Sequence, residues 1–107
     1  MIPLAAVLFL LAPPDPCRAA GAAGWTAVRH GPEEISYLRE GRTMLVALRN
    51  TGGRTTHVDV IWRELGFSGT ARVFDLTANR DEGAVEGGFA RKLAPGACHA
   101  YRLTLPK

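Results

Sequence analysis

The sequence predicts an all-β domain: a two-sheet antiparallel β-sandwich of about seven to eight short strands in a Greek-key-like order. Two observations predict it. Turn residues recur at short spacing, at His30-Gly31-Pro32, Glu40-Gly41, Asn50-Thr51-Gly52-Gly53, Ser68-Gly69, Asp81-Glu82-Gly83 and Pro95-Gly96. Between them run short segments that alternate apolar and polar with a period of two, the pattern of strands with one face in a core. No apolar stripe of helical spacing is longer than a turn.

The elements follow in order. Trp25 to Arg29 and Glu34 to Arg39 open the set. In Thr43 to Arg49, Met44, Val46 and Leu48 share one face. In Thr55 to Trp62, Val58, Val60 and Trp62 share one face, with His57, Asp59 and Ile61 opposite. Arg63-Glu64-Leu65-Gly66 then reads as a single helical turn. Thr70 to Leu76 carries apolar groups on both faces, which predicts cover on both sides. Glu86 to Leu93 and Ala97 to Leu105 complete the set, with Gly87-Gly88 read as a bulge or a close backbone approach.

Before these strands, Ile2 to Ala12 is an apolar run of 11 residues. That is short of the roughly 20 a membrane-spanning helix takes, so no stable membrane insertion is expected. It has the length of a signal-peptide core, and Ala20-Gly21-Ala22 offers a small-x-small cleavage pattern. No Lys or Arg precedes the run, and a ragged start to the reading frame is the competing account. The chain therefore divides into residues 1–22, a leader or ragged start, and residues 23–107, the sandwich. A true leader places the domain in a secreted or periplasmic setting. Cleavage after Ala22 keeps one cysteine, Cys98, read as a small buried apolar side chain. Nothing in the sequence argues that Cys17 and Cys98 pair.

Composition excludes more than it names. Thirteen Lys and Arg against ten Asp and Glu give +3 over 107 residues, with no basic run, so nucleic acid is not an expected partner. Histidines 30, 57 and 99 and the two cysteines lack the close ligand pairs of a zinc site. No nucleophile elbow, phosphate loop or dinucleotide fingerprint occurs, so no cofactor is expected. Asp75 stands apart from the other carboxylates, because it alternates with Val73 toward a buried face. It is read as a strand-end carboxylate accepting backbone N–H or Arg hydrogen bonds. Trp25, at the start of the domain, is the candidate for a sugar contact. Trp62 is assigned to the core.

Val60-Ile61-Trp62-Arg63-Glu64-Leu65-Gly66-Phe67-Ser68-Gly69, followed by Ala71-Arg72-Val73-Phe74-Asp75-Leu76, resembles the C-terminal β-sandwich domain of the α-galactosidases (melibiases) of glycoside hydrolase family 27. The Arg80-Asp81-Glu82-Gly83 turn, Gly87-Gly88-Phe89, the Val46-Ala47-Leu48-Arg49-Asn50-Thr51-Gly52 strand and turn, and Arg102-Leu103-Thr104 fit in the same order. The resemblance spans residues 34–106. It implies structural roles for Asn50, Trp62, Leu65, Gly66, Asp75, Leu76, Gly83 and Phe89. Three positions depart from the family pattern: Thr77 where Trp is usual, Arg49 where an aromatic is usual, and Gly96 where a turn His is usual.

The resemblance also implies the partner. In that family the sandwich follows a (β/α)₈ barrel whose two aspartates carry out retaining hydrolysis. A barrel takes about 250 residues, so neither aspartate maps onto this sequence and no catalytic residue is assigned. The implied role is an accessory domain that packs on a glycosidase barrel, in cis or in trans, and stabilises it. Ile61, Phe74 and Leu76 are the candidate barrel-facing patch. A free-standing secreted carbohydrate-binding module is the other function the sequence admits. It asks for at least two exposed aromatic side chains.

Overall fold

The computed structural model describes residues 16–20 and 22–106. The apolar run at residues 2–12 therefore lies outside the described residues, as does Gly21 within the proposed cleavage pattern. A short helix α1 (Pro16–Ala19) precedes eight strands: β1 (Thr26–His30), β2 (Glu33–Glu40), β3 (Thr43–Asn50), β4 (Thr56–Ile61), β5 (Thr70–Asp75), β6 (Arg80–Glu86), β7 (Gly88–Leu93) and β8 (Cys98–Thr104). They form a six-stranded sheet, β1-β2-β3-β8-β5-β6, and a two-stranded sheet, β4-β7, all antiparallel. Among the described residues, no helix is long and apolar enough to cross a membrane.

The alternation read from the sequence sets which side chains meet. Met44, Val46 and Leu48 of β3 point inward and are fully buried, as are Leu103 of β8 and Val58 of β4. His57, Asp59 and Ile61 face out from the two-stranded sheet. β4 ends in a 3₁₀ turn (Trp62–Leu65), which Gly66 closes in the left-handed region at φ 90°, where glycine carries no Cβ penalty. That turn drops Trp62 into the core. Its ring stacks on Phe67 at 5.1 Å and meets the edge of Phe89 at 5.7 Å, and Phe89 meets Tyr101 at 4.8 Å. Trp62 Nε1 donates to the Val85 carbonyl at 3.2 Å, so the buried indole N–H is satisfied. The chain of rings joins the two sheets, because Phe89 lies on β7 and Tyr101 on β8. Removing a ring of that size from a core costs about 3–5 kcal/mol.

Two expectations are corrected at the far edge. The Asp81-Glu82-Gly83 turn is inside a strand, β6, and the turn itself is Leu76 to Asn79, with Asn79 left-handed at φ 55°. Gly83, at φ 82°, accommodates a bulge: Val73 faces Gly83 and Phe74 faces Asp81, skipping Glu82. β6 pairs on one side only, so its outer side carries charges rather than apolar alternation. Glu86 to Leu93 is also two strands, not one. The break falls at Gly87-Gly88, where the chain leaves the six-stranded sheet for the two-stranded one. A Cβ on Gly88 would collide with the Val60 carbonyl oxygen and stand 3.1 Å from Ile61 Cα, at φ 145°. The strand Thr70–Asp75 is buried on one face, with Arg72 exposed on the other.

The cysteine reading is also corrected. Cys17 and Cys98 form a disulfide across 81 residues of sequence, so Cys98 is a cross-link rather than an isolated buried thiol. Closing a loop of that length is worth about 4–5 kcal/mol in a chain-entropy account. α1 lies against β3 and β8, and Arg49 Nη2 donates to the Cys17 carbonyl at 3.0 Å. Cleavage after Ala22 would remove this strap.

Gly88→Ala is expected to lower the unfolding free energy by about 2 kcal/mol or more, the range of strained and overpacked sites. Gly53→Ala, where a Cβ meets nothing within 4 Å, is expected to stay within about 0.5 kcal/mol. Urea unfolding of both variants checks the pair.

Candidate functional site

The titratable groups that the fold gathers lie at one end of the core. Asp75 closes β5, and its side chain is completely buried. His99 of β8 sits two residues from Asp75's register partner, Tyr101, and therefore on the same face. Its Nε2 lies 2.8 Å from both carboxylate oxygens. The Ala78 N–H donates to Oδ1 at 2.8 Å, and Arg91 of β7 brings Nη2 to 3.7 Å from Oδ2. The carboxylate thus draws a backbone donor from its own turn, an imidazole from the same sheet and a guanidinium from the other sheet.

The electrostatics follow from those contacts. Burial pulls the Asp75 pKa up. The Ala78 hydrogen bond, the His99 hydrogen bond and the charges of His99 and Arg91 outweigh it, so the carboxyl ends below its usual range. Tyr101, buried beside it, is pushed up to about 12, chiefly by burial, with Arg91 opposing and Asp75 reinforcing. A cavity of about 200 Å³ opens beside this cluster, lined by Val73, Val85, Phe89, Ala90 and Tyr101, with Glu82 and Arg91 as its charged groups.

This arrangement ties the two sheets together through one buried carboxylate. A carboxylate–imidazole pair becomes a catalytic base when a nucleophile meets the imidazole. Thr77, two residues beyond Asp75, instead uses its Oγ1 to accept the Ala100 N–H at 2.9 Å. Glu82 is paired with Arg80 at 3.1 Å. Among the described residues, no group of three His, Cys, Asp or Glu is placed to hold a metal ion. The histidines are dispersed: His30 pairs with Glu64 at 2.8 Å, His57 is exposed on β4, and His99 is on Asp75.

The other residues singled out from the sequence fall into place around this core. Asn50 is fully buried. Its Nδ2 donates to the carbonyls of Arg54 and Leu93, at 2.7 and 3.0 Å, and its Oδ1 accepts the Gly52 N–H at 3.0 Å. Trp62 and Leu65 are core residues. Leu76 is half-buried, and its N–H donates to the Ala100 carbonyl at 2.9 Å. Trp25 is half-buried just before β1, while Trp62 and Tyr101 are 1% and 2% exposed and belong to the core.

The structure does not bring Ile61, Phe74 and Leu76 into one patch. Ile61 faces out from the two-stranded sheet at 41% exposure. Phe74 faces out from the six-stranded sheet, under the Arg102 guanidinium at 4.9 Å, with Leu76 just beyond the same strand. The sequence reading of Asp75 anticipated its backbone and Arg partners and missed His99. The signal was weak: an inward-facing His two residues before an inward-facing Tyr, on a strand whose neighbour was unknown.

The model of the α-galactosidase C-terminal β-sandwich domain family matches residues 35–103. Among solved structures, a β-L-arabinopyranosidase of glycoside hydrolase family 27 from Geobacillus stearothermophilus, in complex with arabinose, superposes with a TM-score of 0.72 at 22% identity, over 78% of this chain and 20% of that one. α-Galactosidase I from Mortierella vinacea gives 0.68 at 14% identity, over 77% and 24%. An α-amylase from Geobacillus thermoleovorans, complexed with acarbose, gives 0.57 at 14% identity, over 78% and 18%. The matched part is therefore about a fifth of the length of these enzymes. The comparison with curated proteins returned no match.

The depressed Asp75 pKa has a definite sign. Its stabilising contribution is fully present above the ordinary carboxylate pKa of about 3.9 and is lost as pH falls through the lower folded-state value. Asp75→Asn is expected to be less stable at pH 7, by about 3–5 kcal/mol. It is also expected to lose less stability than the parent below about pH 4. Urea unfolding from pH 7 down to pH 2 reads both effects.

Proposed function

The chain belongs to the α-galactosidase C-terminal β-sandwich family, and on that premise we propose that it is a non-catalytic accessory domain that packs on and stabilises a glycosidase barrel, in cis or in trans. The observation that carries this reading is the extent of the match: residues 35–103 take in nearly the whole sandwich, whereas four-fifths of the length of a family 27 enzyme lies outside it. Hydrolytic chemistry then belongs to the barrel. Asp75 supports that division, because its oxygens are occupied by Ala78 and His99. The relatives suggest a barrel acting on pyranosides such as α-galactosides or β-L-arabinopyranosides.

The docking face we favour is the outer side of the six-stranded sheet. Phe74 and Leu76 are there, and beyond Arg102 of β8 the same row continues to Leu45 of β3 and Leu38 of β2. Ile61, alone on the opposite side, is left out. A secreted or periplasmic setting is supported by the disulfide, which persists in oxidising compartments.

The test is a family 27 barrel expressed without its own sandwich and mixed with this chain. The chain is expected to co-purify with the barrel and raise its melting temperature, and to show no hydrolysis of p-nitrophenyl α-galactoside alone. Turnover by the chain alone, or an unchanged barrel, would overturn the proposal.

A further inference from the structure

The cavity of about 200 Å³ beside the Asp75 cluster holds polar groups that the fold leaves unspent. It lies between β6, at the edge of the six-stranded sheet, and β7 of the two-stranded one. Val73, Val85 and Phe89 give it apolar walls. Tyr101 lines it and is 2% exposed, and its hydroxyl has no hydrogen-bond partner among the described residues. No fully enclosed side-chain nitrogen or oxygen among the described residues lacks a partner, so this hydroxyl opens onto the cavity. Arg91 is in a similar position. Its guanidinium stands 3.7 Å from Asp75 Oδ2, beyond hydrogen-bond reach, and no other described residue takes its side-chain donors. Glu82 gives Arg80 one oxygen, Oε1, and keeps Oε2. Two unspent donors and one unspent acceptor thus meet within apolar walls, which is the make-up of a small-molecule site.

We propose that this cavity binds one neutral hydroxylated ring of pyranose size, with Arg91 and Tyr101 donating to its hydroxyl oxygens and Glu82 accepting from a hydroxyl. Charge, hydrogen bonding and size select that class. The charges that act on the Tyr101 hydroxyl are Arg80 and Arg91 against Asp75 and Glu82. They balance, so an ion would give up its hydration for no net attraction. An apolar ligand would leave the guanidinium and the phenol without partners, which is costly. A hydroxyl both accepts and donates, so neighbouring hydroxyls on one ring satisfy both kinds of unspent group. Tyr101 remains a donor at any working pH, because burial pushes its pKa up to about 12. At the packing density of protein interiors, a cavity of about 200 Å³ holds about 150 Å³ of atoms. That is room for one six-membered ring with its substituents and not for two. The C–H groups of such a ring would rest on Val73, Val85 and Phe89. The inference adds a ligand to the accessory domain and needs no barrel, since the cavity lies at β6 and β7 and not on the outer face of the large sheet.

Titration of the isotope-labelled full chain, followed by amide NMR, tests this. The probes are D-galactose, D-glucose and L-arabinose, with tetrahydropyran as the ring without hydroxyls and D-galacturonate as the charged counterpart. At least one of the three sugars is expected to shift the amides around Glu82, Phe89 and Arg91, with a dissociation constant of about 1–10 mM, the range open to a ligand of about a dozen non-hydrogen atoms. Tetrahydropyran and galacturonate are expected to bind at least about fivefold more weakly. Tyr101→Phe keeps the core ring and removes only the hydroxyl. It is expected to weaken the best sugar by about fivefold while the spectrum without sugar stays native, and Glu82→Ala is expected to do the same. The absence of shifts at these amides with all three sugars at about 50 mM, well above that range, would overturn the inference. So would tetrahydropyran or galacturonate binding as tightly as the best sugar, or a sugar affinity unchanged in both variants. No barrel enters the titration, so its failure and the failure of the accessory-domain reading are separate results.

Discussion

Two strands have too little surface to stand alone in water, so β4 and β7 persist only while they are held on the six-stranded sheet. Asn50 is the polar part of that hold. It sits at the end of β3, fully buried, and its amide donates to the Leu93 carbonyl at the end of β7 and to Arg54 in the turn before β4. Its own backbone is used as well: its N–H donates to Ala97, and its carbonyl accepts from Gly96. One residue, through its side chain and its backbone together, therefore ties the end of β3 to the turn into β4 and the turn out of β7. A buried amide with every bond made specifies one arrangement, and the same amide with a partner missing costs about 1–3 kcal/mol. The apolar part of the hold is the row of rings from Trp62 through Phe89 to Tyr101.

The Asp75 cluster repeats this logic at another point of contact. Arg91 comes from the two-stranded sheet, while Asp75 and His99 come from the six-stranded one. A carboxylate buried without partners would be far more costly than the partners are worth, so these groups are mutually dependent.

The three departures from the family pattern each have a local use. Thr77 accepts the Ala100 N–H and pins β8 beside the turn after β5. Arg49 holds the carbonyl of Cys17, so it belongs to the strap. Gly96 takes φ 75° and donates to Asn50. Arg49 and Cys17 belong to one feature, the N-terminal strap.

Strands with one face in the core were legible in the sequence. β4 alternates cleanly, and in β3 and β8 the large inward side chains keep the period of two although the small outward Ala47 and Ala100 are buried as well; the turn at Trp62–Leu65 was marked by Gly66. β6 was hidden because an edge strand with a bulge carries charges where an inner strand carries apolar residues. The Cys17–Cys98 bond was hidden by 81 residues of separation, and the His99 contact by an unknown strand order. Ile61 and Phe74 looked alike because alternation tells inside from outside but not which of two outer faces a residue occupies.

The central claim is that the small sheet has no stability of its own and unfolds only with the large one. Native-state hydrogen exchange measures this directly. The amides of β4 and β7 that bond to each other are expected to exchange with the same free energy as those of β3 and β8, and with the same dependence on denaturant. Exchange from β4 and β7 through a separate opening of lower energy, with β3 and β8 still protected, would contradict it.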